Sequence, residues 1–214
     1  MAIPVLIIGR SGTGKTTAMR NCIGNSRWNL IKVLSKPLPF PGSIPCCTTD
    51  DYKKICASLA GSDAKSIVID DAGYLLTNKF MKEHSSNGKG SAIFDLYNDI
   101  GDSFWNLIMF IMEQLPEDKI VYVIMHEDKN EHGDIAPKTI GRMLDEKVCV
   151  EGMFTIVLRA VSEMGKYYFI TQCDQGAVSK SPIGMFEDLK IDNDLDYVDK
   201  QIRKYYSLEG DIKK

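Results

Sequence analysis

Nine consecutive residues, Gly9-Arg10-Ser11-Gly12-Thr13-Gly14-Lys15-Thr16-Thr17, place two glycines, one lysine and a hydroxyl in the order G-x-x-x-x-G-K-[ST]. Glycines at these positions let the backbone curl so that successive N–H groups face a common centre, and a helix starting near Lys15 adds its positive end. Such a concavity suits a multiply charged anion. The expected occupant is the phosphate tail of a nucleoside triphosphate: Lys15 reaches the β- and γ-phosphates, the Thr16 hydroxyl ligates Mg²⁺, and Thr17 supports the α-phosphate end.

Mg²⁺ at such a loop calls for a carboxylate on a second, buried strand. Ile67-Val68-Ile69-Asp70-Asp71 ends an apolar, β-branched run with two acids. Asp70 is the expected metal-site residue and Asp71 the candidate for polarising an attacking water. A third strand, Lys119 to Met125, ends at His126, where a polar group would sense the γ-phosphate or orient water.

Elements must bring these three sites together. Val5 to Ile8 reads as a buried strand running into the glycine loop, with a helix over Lys15 to Cys22 behind it. Leu30 to Leu34 reads as a second strand. Pro37, Pro39, Pro41 and Pro45 then exclude a central strand or helix and predict a surface connection. Thr49 or Asp50 is expected to cap a helix with Tyr52, Ile55, Cys56 and Leu59 on one face. Polar composition over Lys79 to Gly90 predicts a mobile loop. A helix from Ser91 to Leu115, broken near Gly101, follows, and Pro116 stops it. Phe154 to Arg159 and Tyr167 to Thr171 form an antiparallel hairpin around Gly165, and Asp194 to Tyr206 a last helix. The expected fold is α/β, with a mostly parallel sheet and a C-terminal antiparallel hairpin; the order of glycine loop, acid strand and polar strand end resembles the three-layer P-loop NTPases of the additional-strand (RecA/AAA-like) type and implies that architecture. Residues 1–190 form its core and residues 191–214 a helical tail of the same domain.

With glycine loop, IVIDDAGYL, VIMHEDK, the hairpin and SKSPIGMF in that order, the chain resembles the phage-encoded AAA/RecA-like ATP-binding proteins, some of which are single-strand annealing or recombination factors. The resemblance implies ATP as the nucleotide, in keeping with a sequence that lacks an Asn-Lys-x-Asp guanine-reading run. It also implies a homo-oligomer in which a neighbour completes the site. Lys180, in Lys180-Ser181-Pro182-Ile183-Gly184, is similar to the trans-acting lysine of hexameric RecA-type helicases, although Pro182 stands where that pattern has arginine. Arg142 is a rival finger. Single-stranded DNA contacts are implied for the segments Glu127 to Lys138 and Cys173 to Ser181. The Lys79, Lys82, Lys89 stretch is a more basic alternative, and a phage single-strand-binding or recombination protein is a further implied partner.

Composition adds bounds. The 214 residues and net charge of −3 suit one globular domain with no general attraction to polyanions, so any nucleic-acid contact must come from a local basic groove. Met1 runs directly into the first strand, which leaves no room for a secretion signal and predicts a cytoplasmic protein. The six cysteines, with Cys46 adjoining Cys47, fit free thiols in a reducing compartment. Three functions fit. The leading one is a Mg²⁺-dependent, oligomeric ATPase acting on single-stranded DNA in phage recombination or replication. A small-molecule kinase is the second, against which stands the scatter of Arg10, Arg20, Arg27, Arg142, Arg159 and Arg203 without a clustered pair. The third is a nucleotide-dependent assembly switch with little turnover, which the aspartate at Asp71, where many hydrolytic relatives carry glutamate, keeps open.

Overall fold

A computed structural model describes residues 1–87, 92–129, 133–140, 148–173 and 176–208. Arg142 and Lys89 lie outside the described residues, as do 130–132 and 174–175 of the two segments considered for DNA.

Nine strands among the described residues build one sheet: β1 Ile3–Gly9, β2 Trp28–Lys32, β3 Cys46–Thr48, β4 Ser66–Asp70, β5 Ile120–Lys129, β6 Ile135–Pro137, β7 Ile156–Glu163, β8 Lys166–Ile170 and β9 Lys190–Asp192. Their order is β3-β2-β4-β5-β1-β7-β8-β9, with β6 paired to the outer part of β5. Pairs from β3 through β7 are parallel; β7-β8, β8-β9 and β5-β6 are antiparallel. β5 thus lies between the strand that carries the glycine loop and the strand that carries the acids.

Four α-helices are described: α1 Tyr52–Gly61, α2 Gly73–Asn87, α3 Ala92–Gln114 and α4 Leu195–Tyr205. Central strands are apolar on both faces because helices cover both. Leu6, Ile67, Ile69, Val121, Val123 and Val157 pack under α1, α2 and α3. Val5, Ile7, Val68, Tyr122, Ile124 and Leu158 pack under α4 and a 3₁₀ helix, Thr16–Cys22, which carries Ala18, Met19 and Cys22 inward. Strand parity then fixes the site. Gly9, Asp70 and His126 fall in step with Ile7, Val68 and Ile124, on the face of the 3₁₀ helix.

Local departures from expectation have local causes. The Lys79 to Gly90 stretch is not a loop as far as it is described: to Asn87 it is the second half of α2, which buries Leu75 and Leu76 near its start and ties Lys79 to Asp99 and Ser103 on α3. α3 runs unbroken through Gly101, which is itself buried against the core. Asp51, one or two residues later than expected, caps α1 by accepting from the Lys53 and Lys54 amides at 2.8 and 3.1 Å, while Thr49 Oγ1 accepts from the Asp51 amide at 3.1 Å. The proline-rich connection holds the short edge strand β3. β5 continues past Met125, so His126 and Glu127 lie within it. At the β7-β8 turn Met164 and Gly165 both have positive φ (49° and 77°), the backbone of a tight two-residue hairpin turn. All six cysteines are free. No helix among the described residues is long and apolar enough to cross a membrane.

Candidate functional site

The turn after β1 is tight, and its glycines explain how. Gly12 and Gly14 adopt φ of +81° and +85°, left-handed values that reverse the chain twice within three residues. Thr13 ties the loop internally, its hydroxyl donating to the Arg10 carbonyl at 2.9 Å. A Cβ on Gly9 would fall 2.6 Å from Thr13 Oγ1, and one on Gly14 would fall 2.6 Å from Tyr167 Cγ on β8. Glycine is therefore required at Gly14 for two independent reasons. Alanine there should cost about 1–2 kcal/mol for the left-handed backbone alone. Tyr167 would also have to move. Thermal melting of Gly14→Ala with and without Tyr167→Ala separates the two: the double variant should recover the steric part only, and an unchanged melting temperature for the single variant would contradict this geometry.

The helix that follows is 3₁₀ rather than α, and only seven residues long. One α-type bond, Ala18 N–H to Gly14 O at 3.0 Å, anchors its start. Lys15 folds back over the loop, its ammonium donating to the Gly9 and Arg10 carbonyls at 2.7 Å each and lying 3.5 Å from His126 Nδ1. It is 7% exposed. Burial pulls its pKa down to about 8, against the opposing pull of Asp71 and Asp70.

Behind the lysine, the Thr16 hydroxyl donates to both oxygens of Asp70 at 3.1 Å. Asp70 is buried, and desolvation, aided by neighbouring Asp71, raises its pKa to about 6. Asp71 sits at φ 60°, a strained conformation for a residue with a side chain, at the turn into α2. One of its oxygens has a close partner and the other faces an imidazole. Lys36 Nζ is 2.5 Å from Oδ2, and His126 Nε2 is 3.7 Å from Oδ1. Desolvation lowers the His126 pKa and the charge of Lys15 lowers it further, which favours the neutral imidazole.

These groups face an open cavity of about 810 Å³. Of the expected nucleotide residues, Arg10, Ser11, Gly12, Gly14, Lys15, Thr16 and Thr17 line it; Gly9 and Thr13 do not, being turned inward to hold the loop. Asp71 and His126 line it, and Asp70 lies beneath through Thr16. Lys180 is elsewhere. Its backbone pairs with Val157, near the start of β7, and it takes no part in the cavity wall.

Three contributors were not expected. Lys36 enters from the proline-rich connection, brought to Asp71 because β2 runs parallel to β4 with Lys32 opposite Asp70. Burial would pull its pKa down, but the hydrogen bond and charge of Asp71 raise it. Glu127 accepts a two-pronged pair from Arg159, Nε at 2.8 Å and Nη2 at 3.0 Å, bridging β5 and β7 over the end of β1, and it also holds Arg10 Nε at 3.6 Å. Tyr74 stands edge-on to His126, with ring centres 6.1 Å apart. Glu127 and Tyr74 lie within the quoted runs VIMHEDK and IVIDDAGYL, whereas Lys36 lies in no motif.

No protein-family model matches the chain. No curated protein matches it either. Among solved structures it is similar to the KaiC-like protein PH0186 from the hyperthermophilic archaeon Pyrococcus horikoshii OT3, with 13% identity and a TM-score of 0.46, over 81% of this chain and 80% of that one. At that level of likeness nothing about activity transfers.

Proposed function

We propose that the chain is a Mg²⁺-dependent, RecA-like ATPase that assembles into homo-oligomers and acts on single-stranded DNA in phage recombination or replication. The nucleotide reading is carried by one observation: a buried ammonium, Lys15, poised over a glycine loop at the point where Thr16 meets Asp70. The placement of β5 between β1 and β4, with His126 beside Lys15, supports the RecA-like reading.

The residues present fit Mg²⁺. Among the described residues no cluster of three or more His, Cys, Asp or Glu side chains forms a cage. Mg²⁺ instead suits sites that give it one or two protein oxygens and leave the rest to water and phosphate. Thr16 and Asp70 are such a pair, and burial of Asp70 without a close cation of its own leaves a carboxylate that a divalent ion would satisfy. The ion would supply charge neutralisation at the phosphate oxygens. Lys15 binds the terminal phosphates, His126 orients their oxygens, and Asp71 takes the proton of the attacking water.

A pH dependence follows. Above about 8 the free protein holds Lys15 neutral, so binding a triphosphate must first recruit a proton; below about 6 Asp70 is protonated and must release one to meet the ion. Affinity for Mg²⁺·ATP, measured by calorimetry, is expected to be greatest between those values and to fall on both sides. A flat profile from pH 5 to 9 would remove both groups from the site.

The oligomer and DNA readings rest on the family resemblance. A physical link is available: the β5-β6 ribbon, carrying Lys129 and Lys138, is joined to His126 through the Lys138 N–H, which donates to the His126 carbonyl at 2.7 Å. Stimulation of ATP turnover by single-stranded DNA, weakening as salt rises, is the expected result. Turnover indifferent to DNA at low salt would discard the DNA reading and leave the nucleotide reading standing. Two alternatives each have an observation in favour. The ion pair of Lys36 with Asp71 Oδ2 suits an assembly switch with little turnover. Continuation of the cavity to Tyr74, Thr77 and Thr139 gives room for a kinase acceptor, and phosphorylated product in a coupled assay would select that reading.

A further inference from the structure

We infer that Lys36 is a catalytic cation supplied by the chain itself, which leaves Asp71 when a triphosphate binds and neutralises the transferring phosphoryl group. This inference rests on the nucleotide reading above and deepens it. Its starting point is the state of Asp71. With Lys36 2.5 Å from Oδ2, one carboxylate oxygen is held by a cation, while Oδ1 lies 3.7 Å from His126 Nε2, too far for a hydrogen bond. Asp71 has both oxygens open to water only once Lys36 moves. A new anion at Lys15 gives it somewhere to go, because the path from Lys15 through His126 Nδ1 and Nε2 to Asp71 Oδ1 spans one imidazole ring.

Rival cations on the cavity wall are less well placed. Arg10 is 69% exposed and leans on Glu127 at 3.6 Å, and Lys138 faces Asp128 at 3.4 Å, outside the cavity lining. Lys36 alone among these three is paired with the acid proposed to take the water proton. Its charge acts on Lys15, Asp70, Asp71 and His126 together. Its side chain is 56% exposed, so the flexible stem can swing without repacking the core, while the backbone is fixed by its N–H donating to the Leu34 carbonyl at 2.9 Å. A point charge on a long stem is what lysine offers over arginine.

In the step this serves, a water oxygen bonds to the γ-phosphorus and the bond from that phosphorus to the β,γ-bridging oxygen breaks. ADP leaves with the electron pair of the broken bond. The water proton passes to Asp71, now free of Lys36, and from there to solvent. Lys36 donates to the equatorial oxygens as negative charge shifts across them.

The test uses the full chain with Lys36→Gln and Lys36→Arg. Two probes are titrated with Mg²⁺ present: a non-hydrolysable ATP analogue, and ADP with aluminium fluoride as a mimic of the transferring group. Lys36→Gln is expected to bind the analogue within about threefold of wild type but to bind the mimic at least tenfold more weakly, with kcat down by about 10²-fold and KM little changed. Lys36→Arg should recover part of the mimic affinity. Equal losses for both probes, or a kcat that stays level or rises because Asp71 has been released, would overturn the inference and make Lys36 a restraint on Asp71. Absence of saturable binding of either probe to the wild-type chain would instead refute the nucleotide reading beneath it. The mimic titration decides the matter even where turnover is slow.

Discussion

Lys15→Ala is expected to weaken Mg²⁺·ATP binding by about 30- to 3,000-fold, the equivalent of about 2–5 kcal/mol for removing one partner of a buried charge pair. The reason is the absence of a substitute. In the free chain Lys36 rests on Asp71 and Arg10 leans on Glu127, while Lys15 lies across the Gly9 and Arg10 carbonyls of the loop itself. The variant should fold well. Burial depresses the Lys15 pKa, so at neutral pH the folded, ligand-free chain holds the ammonium charged at a desolvation cost that its removal relieves. Differential melting therefore has a two-part expected outcome: an apo melting temperature within a few degrees of wild type, and loss of the upward shift that saturating Mg²⁺·ATP gives the wild-type chain. A variant that keeps the ligand-induced shift would show that the phosphates are held elsewhere.

The second large effect lies far from the cavity. Arg203 and Asp199, one turn apart on α4, are both almost fully buried and clamp the helix to the lower edge of the sheet. Arg203 donates from Nε to Asp199 at 2.7 Å, from Nη1 to the Asp118 carbonyl at 2.9 Å, and from Nη2 to the Lys65 carbonyl and Ser66 Oγ at 2.8 Å each. Asp199 also accepts from Ser66 Oγ at 2.6 Å and Tyr122 OH at 3.0 Å, and Arg27 stands 3.7 Å away. Removing the guanidinium leaves a buried carboxylate without its principal counter-charge and the Asp118 carbonyl without this donor, while the Lys65 carbonyl keeps the Ile120 N–H at 2.9 Å. Arg203→Ala should cost about 3–5 kcal/mol. For a domain of this size that is a fall in melting temperature of roughly 6–20 °C. Pairing it with Asp199→Leu should cost less than the two single changes added, since the second removes the charge that the first strands. Strict additivity, or a single-variant loss below about 1 kcal/mol, would mean the cluster is more solvated than its geometry indicates.

What the sequence made legible was whatever depends on neighbours in the chain. The glycine loop was readable because its chemistry is contained in nine residues. The acids after Ile69 and the histidine after Met125 were readable because buried strands announce themselves as apolar runs and polar groups at their ends stand out. Lys36 was not, because its approach to Asp71 depends on β2 and β4 lying side by side, and a lysine among prolines looks like any solvated loop residue. The Glu127 and Arg159 pair was hidden for the same reason, since its members meet only across the end of β1. α2 was mistaken for a loop because it buries so little of its second half that its apolar pattern fades after Phe80. α3 was broken at Gly101 on propensity, but that glycine lies against the core, where close packing outweighs a helix penalty of about 1 kcal/mol. The short 3₁₀ helix after the loop could not be told from an α-helix by pattern over seven residues.

Calorimetric titration of the wild-type chain with a non-hydrolysable ATP analogue at pH 7, repeated with AMP and with the Mg²⁺ removed by chelation, tests the phosphate site most directly. One saturable site per chain for the triphosphate, much weakened without Mg²⁺ and not competed by AMP, is the predicted result. AMP binding as tightly as the triphosphate, or triphosphate binding indifferent to the metal, would mean that the loop, Lys15 and the Thr16–Asp70 pair do not hold a phosphate tail.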